Sequence, residues 1–268
     1  RPAAEGAYRH APSSAAQPCK HLPDDPPVLL RDPADREQDQ EVDGAADDDA
    51  KPNGPARKRE SEDEQAVRET VARFVRDAGI LRDGWSFQAG AGGIPLAFGE
   101  LVRDRMKEMG IKARFVRGGS NKYLVQMLEE GLAEYILDGQ TFDLEGVRSM
   151  RENAGHWDTS PFTSYNYHGK GNFASMVDVV LLGATEVDLE FNANVVTHSD
   201  GRLLHGIGGW QNCLFAKCTV LALPSVRDRI PVIVDRVTTL CGPGELVDVV
   251  ATEHGLCINP RREDLLEA

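Results

Sequence analysis

The feature that most constrains this chain is an alternation of two periodicities over residues 85–138. WSFQA, KARFVR and AEYILD are short β-rich runs, and ELVRDRMKEMG and NKYLVQMLEEG between them carry apolar residues at helical spacing. Strands that alternate with helices pair in parallel, because the helix is the long crossover a parallel pair needs, and such crossovers are right-handed. The expected fold is α/β: a mostly parallel sheet flanked by helices on both faces.

The same rhythm extends both ways. Upstream, SEDEQAVRETVARFVRDAGI places Val67, Val71, Phe74 and Val75 at helical spacing behind a capping box of Ser61 and Glu64. Gly118-Gly119-Ser120 is expected as a turn, with Ser120 as an N-cap for the next helix. Residues 142–151 read as a short helix, and AGHWDTSPFTSYNYHGKGNF reads as a long loop. Its Trp157, Phe162, Tyr165 and Tyr167 either line a ligand cleft or pin the loop to the core. VDVVLLGA, KCTVLALP, IPVIVDRVT and LVDVVAT read as further buried strands, followed by HGLCIN and a short helix in RREDLLEA.

Composition sets residues 1–60 apart. They are rich in Pro, Ala, Asp and Gln, cannot bury enough surface to offset ordering entropy, and are read as a disordered acidic tail ahead of one domain at 61–268. The net charge of −13 argues against a nucleic-acid surface, and the basic cluster Arg57-Lys58-Arg59 falls in the linker. Five cysteines without a CxxC pair give neither a disulfide framework nor a zinc site, and no HExxH, His-x-His or Walker sequence occurs, so no metal is expected. With no apolar run of membrane-span length and no signal-peptide core, the expected location is the cytoplasm, away from membranes.

The chemistry is expected in residues 177–217, where a buried run opens onto polar residues and a glycine turn. Two Gly-x-Gly-Gly turns occur, one at Gly90, Gly92 and Gly93 and one at Gly206, Gly208 and Gly209. They are either backbone nests for a phosphate, carboxylate or thioester oxygen, or tight β-to-α turns without a ligand. If the chain stays extended past residue 184, Glu186, Glu190, Asn192 and Asn194 share one face and hold a polyol or carboxylate, or a Glu attacks an acyl group; otherwise the acidic residues are simply solvated. Asp138 and Gln140 end a strand and serve either helix capping or ligand contact. His198, Ser199 and Asp200 are sequence neighbours and cannot form a triad among themselves.

The segments QAGAGGIPLAF, GGSNKYLVQMLEEGL, ILDGQTFD, VDVVLLGATEVDLEFNANV, RIPVIVDRVTT and PGELVDVVATEHGLCINPRREDLLE, in this order, resemble the second half of the bacterial citrate lyase α subunit family. The resemblance implies a CoA-transferase-like (NagB/RpiA/CoA-transferase-like) domain, one of two that form an active site between them, the first lying outside this sequence. It implies exchange of acetyl for citrate on an acyl-carrier thioester, giving citryl-carrier and acetate. The thioester substrate would be CoA or acyl-carrier pantetheine, with no tightly bound cofactor. The implied partners are citrate, the acyl carrier protein subunit and the citryl lyase β subunit, within an oligomer.

On that reading Gly90, Gly92, Gly93, Gly206, Gly208 and Gly209 take the thioester or pantetheine. Glu186 and Asp138 are the catalytic candidates, and Asn192, Asn194 and Gln140 bind substrate. The absence of a Glu-Asn-Gly nucleophile motif favours transfer in a ternary complex through an anhydride. Two departures stand out: Gly208-Gly209-Trp210-Gln211-Asn212 where the family pattern is Gly-Gly-His followed closely by an acid, and His198 where a glycine precedes Ser199-Asp200-Gly201. They imply altered acid chemistry, a changed substrate or lost activity. The alternatives are another acyl-CoA transferase or hydrolase, or a non-catalytic sensor on the same fold.

Overall fold

Helix α1 (Glu62–Asp77) buries Val67, Val71, Phe74 and Val75, and its first turn carries three acidic residues that complement the helix dipole. The computed structural model describes residues 62–90, 93–165, 173–204, 206–227 and 229–267; the acidic tail, Ser61, Gly92, Tyr167 and His205 lie outside them. Four βα units follow α1: β1 (Trp85–Ala89) with α2 (Gly93–Met109), β2 (Ala113–Ser120) with α3 (Lys122–Glu129), β3 (Ile136–Thr141) with α4 (Leu144–Glu152), and β4 (His156–Asp158) with α5 (Pro161–Tyr165). The chain then forms β5 (Val179–Leu182), β6 (Glu186–Asp188), β7 (Ala193–Asn194), α6 (Trp210–Cys213) and β8 (Thr219–Ala222). The last elements are β9 (Val226–Arg227), β10 (Ile230–Pro231), β11 (Ile233–Val234), β12 (Val249–Thr252), β13 (Gly255–Ile258) and α7 (Glu263–Leu266).

Eight strands make the main sheet in the order β13-β12-β8-β5-β1-β2-β3-β4, parallel throughout except at the β12–β13 hairpin. This is the α/β, mostly parallel sheet expected. Period-two alternation divides the core. Val179, Leu181, Val220, Ala222, Val249 and Ala251 face the helical layer, whereas Val180, Leu182, Leu221, Leu223 and Val250 face the other side. There the cover is not a second layer of long helices. It is a three-stranded sheet, β11-β6-β7, with the short α6.

Several local expectations are corrected. Gly118, Gly119 and Ser120 are not a turn but the end of β2, paired with β3 across a bulge. The N-cap of α3 is Asn121, whose side chain accepts from Tyr123 and Leu124 N–H; Ser120 instead donates to Asp138. The long loop contains β4 and α5, too short to show a periodicity. IPVIVDRVT is no core strand: Ile230–Pro231 and Ile233–Val234 are two-residue strands outside the main sheet.

The structure also shows a local repeat. Val177-Asp178-Val179-Val180 and Val247-Asp248-Val249-Val250 each follow a 3-10 turn, and each Asp fastens the start of a neighbouring strand. Asp178 accepts from Ser86 N–H at 2.9 Å and Asp248 from Thr219 N–H at 2.7 Å. Each carboxylate also meets a cation, Lys217 Nζ at 2.8 Å and Arg262 Nη1 at 2.8 Å.

Candidate active site

Chain order reverses between β1 and β5. β2, β3 and β4 extend the sheet to one side of β1, and β8, β12 and β13 extend it on the other side of β5. The strand ends part there, and ligands of open α/β sheets bind in that crevice. A cleft of about 630 Å³ opens at this point. Its base comes from the C-terminal ends of three strands: Gln88, Ala89 and Gly90; Gly118 and Gly119; Gly139 and Gln140. The loop after β5 and the turn before α6 complete it, with Phe142, Leu204, Cys213 and Arg227. Gly119 lets the Phe142 ring lie directly on the backbone of β2: a methyl group there would stand 1.9 Å from that ring and displace it.

The two glycine turns differ. Gly90 lines the cleft, but its N–H already donates to Leu181 O at 2.8 Å, and Gly93 opens α2 without lining the cleft. Gly206, Gly208 and Gly209 all line it. Gly208 has φ +57°, and Gly209 follows at φ −84°, ψ 7°, the left-then-right alternation that turns successive N–H groups toward one side. Neither N–H has a hydrogen-bond acceptor among the described residues. This turn is therefore a nest with donors to spare.

Trp210 fixes the turn. Its Nε1–H donates to Gly183 O at 2.9 Å, and its ring packs so closely on Gly242 that a methyl there would come within 2.7 Å. Beneath, Gln88 Nε2 donates to Cys213 Sγ at 2.7 Å. Burial pushes the Cys213 thiol up to about 11, outweighing the Arg117 charge and the Gln88 hydrogen bond, so the group is a neutral S–H at physiological pH. Cys213, Cys218 and Cys241 are buried and reduced, and Cys257 is exposed.

The remaining sequence-derived candidates are placed away from the cleft surface, apart from Gln140, which lines it. The Asp138 carboxylate is buried beneath it and accepts from Ser120 N–H at 3.1 Å, Ser120 Oγ at 2.7 Å, Gln140 N–H at 3.0 Å and Thr141 Oγ1 at 3.0 Å. His156 Nε2 lies 3.5 Å away. The chain does not stay extended past residue 184: Phe191, at φ +66°, reverses it, so Glu186 faces Asn194 across the β6–β7 pair. Glu186 is buried rather than solvated, and accepts from Asn194 Nδ2 at 2.9 Å and Thr238 N–H at 3.0 Å. Asn192 bridges Asp188 Oδ2 at 3.2 Å and Gly244 N–H at 2.9 Å. Of the loop aromatics, Trp157 packs on Tyr135 and Phe162 is exposed; neither lines the cleft.

These carboxylates share an electrostatic signature. Burial works against ionised Asp138, and the nearby His156 ring together with hydrogen bonds from Ser120, Gln140 N–H and Thr141 outweigh it and hold the group below its ordinary value. Glu186 is likewise opposed by burial and lowered by Ser199, Asn194 and Thr238, and Asp178 by Lys217, Ser86 and Arg82. A carboxyl lowered in the folded state stabilises it above its unfolded value and loses that contribution as pH falls through the folded value. Stability is therefore expected to be flat above about pH 5 and to fall steeply below about pH 4. Urea titrations from pH 3 to 7 check this; stability that rises on acidification would contradict it.

A family model described as citrate lyase, alpha subunit (CitF), matches residues 22–268. The chain belongs to the citrate lyase alpha subunit family. The citrate lyase alpha chain of Haemophilus influenzae is 37% identical over 206 residues, which cover 76% of this chain and 41% of that protein. That of Escherichia coli is 36% identical over 241 residues, covering 88% and 47%. The chain thus spans less than half the length of these curated relatives. A solved citrate lyase alpha subunit from Streptococcus mutans, in complex with citrate, is 39% identical with a TM-score of 0.75, covering 77% of this chain and 41% of that one. RipA from Yersinia pestis, at 16% identity and a TM-score of 0.60, covering 77% of this chain and 49% of that one, shares the fold. Among the described residues no helix is long and apolar enough to cross a membrane, and no cluster of three or more His, Cys, Asp or Glu could hold a metal.

Sequence reasoning missed Gln88, Phe142, Cys213 and Arg227 as cleft residues. Arg227 carried a usable signal as a cation beside a predicted strand end, whereas the others are ordinary core residue types that only topology brings to the crevice.

Proposed function

We propose that this chain provides one wall of a citrate CoA-transferase site, exchanging acetyl for citrate on the thioester of an acyl carrier or CoA. The observation that carries the reading is the Gly208–Gly209 nest, with two uncommitted N–H groups in a cleft at the switch point of a CoA-transferase-like sheet. Such donors stabilise the negative charge that develops on a thioester oxygen under attack. In the exchange a citrate carboxylate attacks the acetyl carbonyl carbon and the thiolate leaves, giving a mixed anhydride. The thiolate then attacks the citryl carbonyl, forming citryl thioester and releasing acetate.

This sequence consumes one carboxylate and releases another, so it needs no net proton transfer. That fits a turn carrying Trp210 and Asn212 in place of a His and an acid, and the apolar Trp210 wall helps keep water from the thioester. Asp138, through Gln140 N–H, and Glu186, through the β6–β7 pair, act as positioning residues, and Gln140 contacts substrate. Asn192 and Asn194 hold the wall from behind. The pantetheine arm is a substrate, with no tightly bound cofactor. The other wall, the acyl carrier protein and the citryl lyase β subunit come from outside residues 1–268, in a cytoplasmic assembly.

Citrate-dependent release of acetate from acetyl-carrier or acetyl-CoA tests the reading. The chain alone is expected to bind acetyl-pantetheine yet turn over slowly, with release restored when a two-domain relative's first half is supplied. Hydrolysis of the thioester at the same rate with and without citrate would refute transferase function and leave a hydrolase.

A further inference from the structure

The lining of the cleft departs from the charge of the whole molecule. The chain carries 43 acidic against 30 basic residues, yet no Asp or Glu is among the described residues that line the cleft. Arg227 is the one ionised side chain among them. It forms no ion pair among the described residues, in contrast to Arg82, Arg148 and Arg262, each of which meets a carboxylate. A cation without a counter-ion among the described residues, in a cleft whose described lining holds no carboxylate, marks a place kept for an anion.

Arg227 is also held in position. It pairs with Ile230 in the β9–β10 hairpin, and Arg229 in the connecting turn adopts φ +69°. Its Nη2–H donates to Ala184 O at 3.3 Å. The preceding carbonyl, Gly183 O, takes the Trp210 indole N–H. The guanidinium and the nest-bearing turn are thus fastened to consecutive peptide units after β5, whose Cα atoms are about 3.8 Å apart. One bond to Ala184 leaves the rest of the planar guanidinium fork for a ligand, and that fork matches a carboxylate in bidentate geometry.

We propose that Arg227 is the carboxylate anchor of this cleft, a specificity-determining residue that grips one carboxylate of a di- or tricarboxylate acceptor while the Gly208–Gly209 N–H groups face the thioester oxygen. The assignment rests on the transferase reading and deepens it, because it divides the cleft into a carboxylate end and a thioester end. The anchor favours an acceptor with a carboxylate beyond the one that reacts, so citrate is held and acetate, with a single carboxylate, is let go.

The test is calorimetric titration of the full 268-residue chain, wild type, Arg227→Gln and Arg227→Lys, with citrate and separately with acetyl-pantetheine. Arg227→Gln is expected to weaken citrate binding at least about tenfold, with Arg227→Lys between the two because it keeps the charge and loses the fork. Acetyl-pantetheine binding and the melting temperature stay unchanged, the latter because Arg227 is exposed. Equal citrate affinity in wild type and Arg227→Gln overturns the anchor and leaves the transferase reading standing, as does a wild type that binds acetyl-pantetheine but not citrate. A wild type that binds neither overturns the transferase reading and the anchor with it.

Discussion

Asp138→Ala is expected to destabilise the fold by about 4 kcal/mol, a drop of roughly 10 °C in melting temperature for a domain of this size. The carboxylate organises the ends of two strands at once. It takes two bonds from Ser120 on β2 and one each from Gln140 N–H and Thr141 Oγ1 on its own β3. Removing it leaves the two Ser120 donors buried without their acceptor and the Gln140 and Thr141 donors unpaired, and a buried donor stripped of a charged acceptor costs far more than the bond contributed on balance. Asp138→Asn keeps the shape and one carbonyl oxygen and should recover about half of the loss. The same change should loosen Gln140 at the cleft, so ligand affinity is expected to fall with stability. Thermal melts of both variants decide the matter: an Asp138→Ala protein that melts within about 2 °C of wild type would show that these bonds are replaced by water.

Gly244→Ala is expected to cost about 3 kcal/mol or more, by crowding rather than by loss of a bond. A methyl group at 244 would lie 1.9 Å from Glu190 O, and that obstacle is backbone, so no side chain can turn away to relieve it. Gly244 also lies inside a bonded frame, its N–H on Asn192 Oδ1 at 2.9 Å and its carbonyl on Asn259 Nδ2 at 2.8 Å. Any shift that makes room for the methyl breaks one of these. Gly93→Ala is the matched control, since a methyl there meets nothing within 4 Å. It should change stability by less than about 0.5 kcal/mol. Urea unfolding of the pair measures the difference, and equal midpoints would mean that the Glu190 turn yields at little cost.

Much of the fold was legible because its signals are local. Trp85–Ala89 forms as a strand over the residues expected, and α1, α3 and α4 fall where apolar spacing puts them. The errors fall where tertiary partners override local propensity. Gly118 and Gly119 look like turn formers, yet they extend β2 because β3 pairs with them, with the Phe142 ring packed over Gly119. Ile230–Val234 looks like a core strand, yet the places beside β8 in the main sheet are taken by β5 and β12. Glu186 and Asp188 look solvated by residue type, but the turn at Phe191 folds donors over them.

The sequence by itself determined the fold class and the family, and it pointed to the glycine turn at 206–209, since helical spacing, strand alternation and motif order are properties of neighbours along the chain. Only the tertiary structure decided that the Gly208 and Gly209 N–H groups have no acceptor among the described residues, that Asp138 and Glu186 turn inward as supports, and that Arg227 stands as a cation in a cleft whose described lining holds no acid. Those are matters of which distant segments meet. They are settled by the reversal of strand order between β1 and β5, which brings residues from seven separate stretches of chain to one crevice.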